Sequence, residues 1–154
     1  FIIDRKKKLA GNCNMNDVIK DSIKLIEEES IIQLHVTSPF LRTVTIDKFL
    51  KKFIEDKIHD SYFSVISFKK RLWDKSAKPF NFEFSSEPTT QKLMDLYEEN
   101  SGFYIFTKKS FIENSNRVGI KPKMINLNKI ESFDIDIIML RGISINLLSK
   151  VRKN

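Results

Sequence analysis

The stretch Ile31-Ile32-Gln33-Leu34-His35-Val36-Thr37-Ser38-Pro39, together with the residues after it as far as Phe68, decides the fold. Ile31 to Val36 is largely apolar and β-branched, as a buried strand is. After the turn Thr37-Ser38-Pro39, the residues Ile46, Phe49, Leu50, Phe53 and Ile54 fall at helical spacing, and Thr45 is able to cap the start of that helix. Tyr62 to Phe68 is again aromatic and β-branched and reads as the next strand. Strand, loop, helix and strand in this order make a βαβ unit whose two strands are expected to run parallel.

Working outward, Asn16 to about Glu28 places Ile19, Ile23 and Ile26 on one helical face, with Asn14 and Asn16 as candidate N-caps. Downstream the pattern loosens over residues 69–99, which hold Pro79, Pro88 and one short strand candidate at Phe80 to Phe84. Such a segment is expected to be a lid or dimerisation excursion rather than a core layer. Phe103 to Phe106 resumes as a strand, Lys108 to Glu113 as a short helix and Met124 to Leu127 as a further strand. Ile137 to Val151 aligns Leu140, Ser144, Leu147 and Val151 on one helical face. The alternation argues for one α/β domain over residues 1–154 with a mostly parallel sheet. Ligands of such sheets bind at the carboxyl ends of the strands, so the Thr37–Arg42 loop and the later acids Asp134 and Asp136 are expected to face a common cleft.

Composition narrows the function classes. The chain of 154 residues is long enough for one core, and 41% hydrophobic residues with 13 Phe exclude a disordered chain. No apolar run approaches the roughly 18 residues of a membrane span, and the amino end has no signal-peptide core, so a soluble cytoplasmic protein is expected. Cys13 is the only cysteine and His35 and His59 the only histidines, which leaves no zinc set and no internal disulfide. Twenty-seven Lys and Arg against 20 Asp and Glu give a formal charge of +7, which favours anionic partners. That charge is spread along the chain, so a solvated lysine-rich surface is expected rather than a nucleic-acid interface. A first residue Phe1 reads as a piece of something longer or as a processed product.

The hexapeptide Glu131-Ser132-Phe133-Asp134-Ile135-Asp136 carries the most chemistry. In an extended backbone Asp134 and Asp136 share one face, while Phe133 and Ile135 anchor the other. Paired carboxylates on a rigid element suit Mg²⁺, which takes one or two of them and fills its other positions with water and phosphate oxygens. A second reading stands beside this one, with Asp136 as the N-cap of a helix from Ile137 and Asp134 as a solvated acid.

Three segments in order, His35 to Arg42, Gln91 through Tyr97-Glu98-Glu99-Asn100-Ser101-Gly102-Phe103-Tyr104-Ile105-Phe106, and Glu131 to Asp136, resemble acylneuraminate cytidylyltransferases, the CMP-sialic acid synthetases. The resemblance covers roughly residues 30 to 136, the carboxyl-terminal two-thirds of such an enzyme. It implies a three-layer Rossmann-like nucleotidyltransferase sandwich that lacks the first strand and the nucleotide loop. It also implies transfer of CMP from CTP to the anomeric hydroxyl of an acidic nine-carbon keto sugar, with release of pyrophosphate, and a homodimer. On this basis Asp134 and Asp136 are the Mg²⁺-binding and catalytic acids, Gln91 and Asn100 line the sugar side, and Thr37 and Ser38 lie beside sugar and nucleotide. Tyr104 either packs beneath the site or is a plain core aromatic, and Arg42 either pairs with a carboxylate or phosphate or is solvated.

The chain also departs from that family. His35-Val36 stands where relatives carry Gln-Pro, Thr89 stands where an arginine is often found, and Ile137-Ile138-Met139 replace the usual Thr and acidic residues. Gly11, Gly102, Gly119 and Gly142 are isolated, so no Gly-rich phosphate loop is present within these residues. Without that loop the fragment by itself is expected to be inactive, and a noncatalytic binding or assembly domain is the alternative function.

Overall fold

In the computed structural model, which describes residues 2–11, 13–86 and 88–135, the apolar runs become four strands of one sheet. They are β1 (Ser30–Leu34), β2 (Ser61–Phe68), β3 (Leu96–Thr107) and β4 (Pro122–Asn126), in the order β1-β3-β2-β4. β3 runs antiparallel to both β1 and β2, and β2 pairs with β4 in parallel. The expectation of a mostly parallel sheet is therefore corrected: the fold is mixed α/β with a mostly antiparallel sheet and one parallel pair. The physical reason lies in the connection between β2 and β3. The chain leaves β2 through residues 69–95 and returns beside it, as an antiparallel neighbour does, so β3 fills the gap between β1 and β2. β1 and β2 still point the same way, as a helical crossover demands, but they do not touch as neighbours.

α1 (Met15–Ser22) starts where the Asn14 side chain accepts from the Asn16 amide at 2.9 Å, and it tightens into a 3₁₀ turn at Ile23–Leu25. α2 (Thr43–Glu55) is the crossover from β1 to β2, and its N-cap is Arg42 rather than Thr45. α3 (Lys108–Asn114) begins where Thr107 Oγ1 accepts from the Ser110 amide at 3.0 Å.

β3 holds the two faces together because its alternate side chains enter opposite layers. Phe103 and Ile105 pack with Phe53, Tyr62, Ile125 and Leu127, with Phe49 and Leu50 of α2 against them. Tyr104 and Phe106 pack with Ile23 and Phe111, joined by Ile19 of α1. Residues 103–106 are at most 1% exposed, so each large side chain here contributes about 1.5–3 kcal/mol by leaving water.

The short strand expected at Phe80 to Phe84 does not form, and a single bridge joins Trp73 to Pro79. Asn81 explains this, since its side chain accepts from the Leu72 amide at 2.8 Å and donates to the Lys70 carbonyl at 2.9 Å. A side chain that takes backbone groups in this way replaces a ladder. Trp73 packs edge-on against Phe82 and Phe84. Asp136 and the helix expected at Ile137 to Val151 lie outside the described residues. No helix among the described residues is long and apolar enough to cross a membrane.

Candidate functional site at the carboxyl end of β1 and β4

Three stretches distant in sequence meet at one end of the sheet. The first is the loop after β1, whose Thr37 carbonyl accepts from the Ile135 amide at 3.0 Å. Ser38 is buried, and Phe40 meets Phe133 edge-on at 5.7 Å between ring centres. The second is the turn after β4, organised by Asn128. Its Oδ1 accepts from the Ile130 and Glu131 amides at 3.0 Å each, and its Nδ2 donates to Glu131 Oε1 at 2.9 Å.

Glu131 fastens these two stretches together. Arg42 Nε and a terminal guanidinium nitrogen approach its Oε1 at 2.8 and 2.7 Å. Burial pushes the Glu131 carboxyl up, but hydrogen bonds from Thr45, Arg42 and Asn128 outweigh that and hold it below its ordinary range. A carboxylate at the first turn of α2 is also where the helix dipole favours negative charge. Arg42 thus pairs with a carboxylate of the protein itself, Glu131, while most of its side chain stays exposed.

The third stretch is a bulge in β3. Phe63 pairs with Tyr104 and Val65 with Glu99, so Ser64 alone opposes residues 100–103. Ser64, fully buried, fixes this geometry: its Oγ donates to Asn100 Oδ1 at 2.6 Å and accepts from the Phe103 amide at 3.0 Å. Asn100 Oδ1 also accepts from the Gly102 amide at 3.2 Å. Ser101 takes a left-handed conformation at φ 56°, and a Cβ on Gly102 would sit 3.1 Å from Ser64 Oγ. The tripeptide Asn100-Ser101-Gly102 is thus shaped by its backbone and by one hidden hydroxyl.

Between the bulge and the turn lies a cleft of about 370 Å³, lined by Ile66, Glu98, Glu99, Asn100, Ser101, Lys129, Ser132, Phe133 and Asp134. Asn100 and Asp134 both line it, whereas Thr37 and Ser38 do not; Thr37 meets the strip beside Asp134 through its carbonyl and the Ile135 amide. Gln91 does not line it either: it is exposed in a 3₁₀ turn at Thr90–Lys92, away from the cleft lining. Tyr104 is fully buried and touches no open space. Its hydroxyl donates to Glu99, its ring stacks under the Arg117 guanidinium at 3.6 Å, and burial with the Glu99 bond pushes its phenol up to about 12. Tyr104 is accordingly a core aromatic that reaches the cleft through its hydroxyl alone, by way of Glu99 and of Ser101 Oγ at 3.3 Å. His35 Nε2 lies 3.0 Å from the Gln33 amide nitrogen, and Arg117 donates to Gln33 Oε1 at 2.9 Å.

Glu98, Glu99, Lys129 and Ser64 do not stand out in the sequence. A serine within Tyr62-Phe63-Ser64-Val65-Ile66 and an Asn-Ser-Gly inside a strand run are the signals that could have found the bulge. Among the lining residues, Glu98, Glu99, Ser101, Ser132 and Asp134 carry oxygen donors of the kind a hard divalent cation takes, although Glu99 already accepts from the Tyr104 hydroxyl. Among the described residues no group of three or more His, Cys, Asp or Glu side chains is placed to share one ion.

The buried side-chain polar atoms without a hydrogen-bond partner among the described residues are Thr37 Oγ1, Asn100 Nδ2 and Glu131 Oε2. One falls in each of the three converging stretches. Buried polar groups are ordinarily satisfied, so orphans gathered at one place call for a ligand, water or further chain. No family model and no curated protein matches this chain.

Proposed function

We propose that this chain carries the sugar-acid side of a nucleotidyltransferase of the acylneuraminate cytidylyltransferase type, which transfers CMP from CTP to an acidic keto sugar and releases pyrophosphate. The observation that carries the reading is the convergence of Thr37, Asn100 and Asp134, one from each segment of the sequence resemblance, on one sheet end that also holds the orphaned polar atoms. Asp134 would hold Mg²⁺, with the partner acid Asp136 following it in sequence. When bound, the ion neutralises phosphate charge. Three carboxylates against the single ammonium of Lys129 would otherwise repel both a triphosphate and a sugar carboxylate. The orphaned Asn100 amide offers a donor to a sugar oxygen, and Ser64 holds it in place.

The test is calorimetric titration of the chain with N-acetylneuraminic acid and with CTP, each with and without Mg²⁺, alongside a pyrophosphate-release assay. Mg²⁺-dependent binding that is lost in Asp134→Asn is expected. Absence of N-acetylneuraminic acid binding at millimolar concentration, with and without Mg²⁺, refutes the reading; weak CTP binding does not, because no Gly-rich phosphate loop is present within these residues. That refutation would leave the noncatalytic binding domain, which the position of Gln91 away from the cleft favours.

A further inference from the structure

Residues 69–84 leave β2 as an arm that neither core uses. Trp73, Phe80, Phe82 and Phe84 belong to neither apolar cluster, and Trp73, Phe80 and Phe84 are 49%, 72% and 73% exposed. A lone apolar side chain at a surface needs no explanation, whereas a group of rings does. The same stretch carries Lys69, Lys70, Arg71, Lys75 and Lys78 against Asp74 and Glu83. The positive charge that is spread along the rest of the chain is interleaved here with aromatic rings.

The arm has a fixed shape. The Phe80 amide donates to the Leu72 carbonyl at 2.8 Å and the Asp74 amide to the Lys78 carbonyl at 2.9 Å, which closes a short hairpin beside the Trp73–Pro79 bridge. One of its two acids is engaged in that turn, since Asp74 Oδ1 accepts from the Ser76 and Lys78 amides at 2.7 and 3.0 Å. Arg71 ties the arm down by donating to the Pro88 carbonyl at 2.7 Å. Phe80, Phe82, Phe84 and Met94 line a cleft of about 630 Å³ with Lys78 and Glu83. The residue after Met94, Asp95, lines a second cleft of about 520 Å³ with Lys69, Lys70, Lys129 and Glu98. Asp95 lies 3.7 Å from Lys69 Nζ, so Lys70 and Lys129 face Glu98 alone.

An aromatic recess beside a cationic one is matched by a ligand that repeats planar rings and anionic groups along one chain, and single-stranded nucleic acid is such a ligand. An apolar patch on a protein partner would leave the lysines unanswered. A lipid surface would meet the hairpin turn first, and that turn, Asp74-Lys75-Ser76-Ala77-Lys78, is charged, while Phe80, Phe82 and Phe84 line a cleft instead of forming the apex. We infer that the arm and the basic cleft beside it bind single-stranded nucleic acid without sequence preference, with bases stacked on the exposed rings and phosphates beside Lys70 and Lys129. The inference goes beyond the transfer chemistry proposed above and does not depend on it.

Trp73 is the only tryptophan of the chain, so its fluorescence reports on the arm directly. The full chain is titrated with an oligothymidylate of about 12 nucleotides, within the usual range of site sizes. Quenching of Trp73 emission with micromolar affinity is expected at about 50 mM salt, falling with salt at a log–log slope of about −1.4, as about two neutralised phosphates require. Phe80→Ala and Phe84→Ala each weaken binding about fivefold or more. Both rings are exposed, so the urea midpoint of either variant stays at the parent's value. Lys70→Gln flattens the salt slope by about 0.7. No binding at millimolar nucleotide overturns the inference. Binding without quenching, or equal binding by both ring variants and the parent, shows attraction by charge alone and overturns it too. Failure to bind the oligonucleotide together with a blue shift of Trp73 on phosphatidylserine vesicles assigns the arm to a lipid surface, and the same failure with a blue shift on raising protein concentration assigns it to a second copy; either result refutes the proposal.

Discussion

Replacing Ser64 with alanine isolates the device that shapes the cleft. The serine is fully buried, and its hydroxyl bonds both Asn100 Oδ1 and the Phe103 amide, itself fully buried. Ser64→Ala removes one hydrogen bond worth about 1 kcal/mol and strands the Phe103 donor at about 1–3 kcal/mol, so a loss of about 2–4 kcal/mol is expected. With a urea slope of about 2 kcal/mol/M the midpoint falls by about 1–2 M. Asn100 keeps the Gly102 amide as a partner, so the bulge loosens without vanishing. Urea unfolding followed by far-ultraviolet circular dichroism measures the shift, with the exposed Ser86→Ala as the control, expected within about 0.5 kcal/mol of the parent. A Ser64→Ala midpoint within that control range would refute the claim that one hydroxyl holds the bulge.

Four further outcomes are expected. Glu131→Gln weakens the charge-assisted bonds to Arg42, which is exposed and regains water, so the loss is about 1–2 kcal/mol near neutral pH. Because the Glu131 carboxyl is held below its ordinary range when folded, its stabilisation is present above the unfolded pKa and disappears as pH falls below about 4.5. Acid unfolding curves of Glu131→Gln should therefore converge on the parent's at low pH. Burial raises both Tyr62, with help from Asp56, and Tyr104, with help from Glu99, to about 12, so their stabilisation is complete below pH 10 and lost as pH rises toward 12. Alkaline unfolding that is less steep in Tyr104→Phe checks this. Asp134→Asn should leave the melting temperature within about 2 °C of the parent while Mg²⁺-dependent binding falls by orders of magnitude. Gly119→Ala would bring a Cβ within 2.3 Å of Asp60 Oδ1 and displace the carboxylate that accepts from the Ile120 and Lys121 amides at 2.9 and 3.1 Å. The resulting loss is about 2–3 kcal/mol, read as a urea midpoint shift.

The local elements were legible because their signals are local. Asn14 caps α1 as its side chain suggests, and the runs at Ile31, Tyr62 and Phe103 are strands because β-branched and aromatic residues fill both faces of a buried sheet. Strand order was not legible, since the insertion of β3 between β1 and β2 depends on pairing across residues far apart in the chain. The outer half of β3, Leu96 to Asn100, gives no strand signal because it overhangs the core and carries polar residues on both faces. Phe80 to Phe84 misleads in the opposite sense: its aromatic alternation mimics a strand, while Asn81 occupies the backbone groups a strand would need. At the site, the strand-end rule named the Thr37–Arg42 loop and Asp134, but the cleft that holds Asn100 and Asp134 is lined by none of residues 37–42. The clamp between Arg42 and Glu131 was not legible, because neither residue announces a partner 89 positions away.

The interruption in β3 has a consequence for how this chain tolerates change in length. Phase matters on the inner side, where a shift of one residue would turn Phe103 and Ile105 out of one layer and into the other. Beyond Gly102 the pairing restarts with its own offset, so residues added to or removed from the distal ribbon are absorbed before they reach the packed half. The outrigger can change length beyond Glu98 while the keel keeps its alignment.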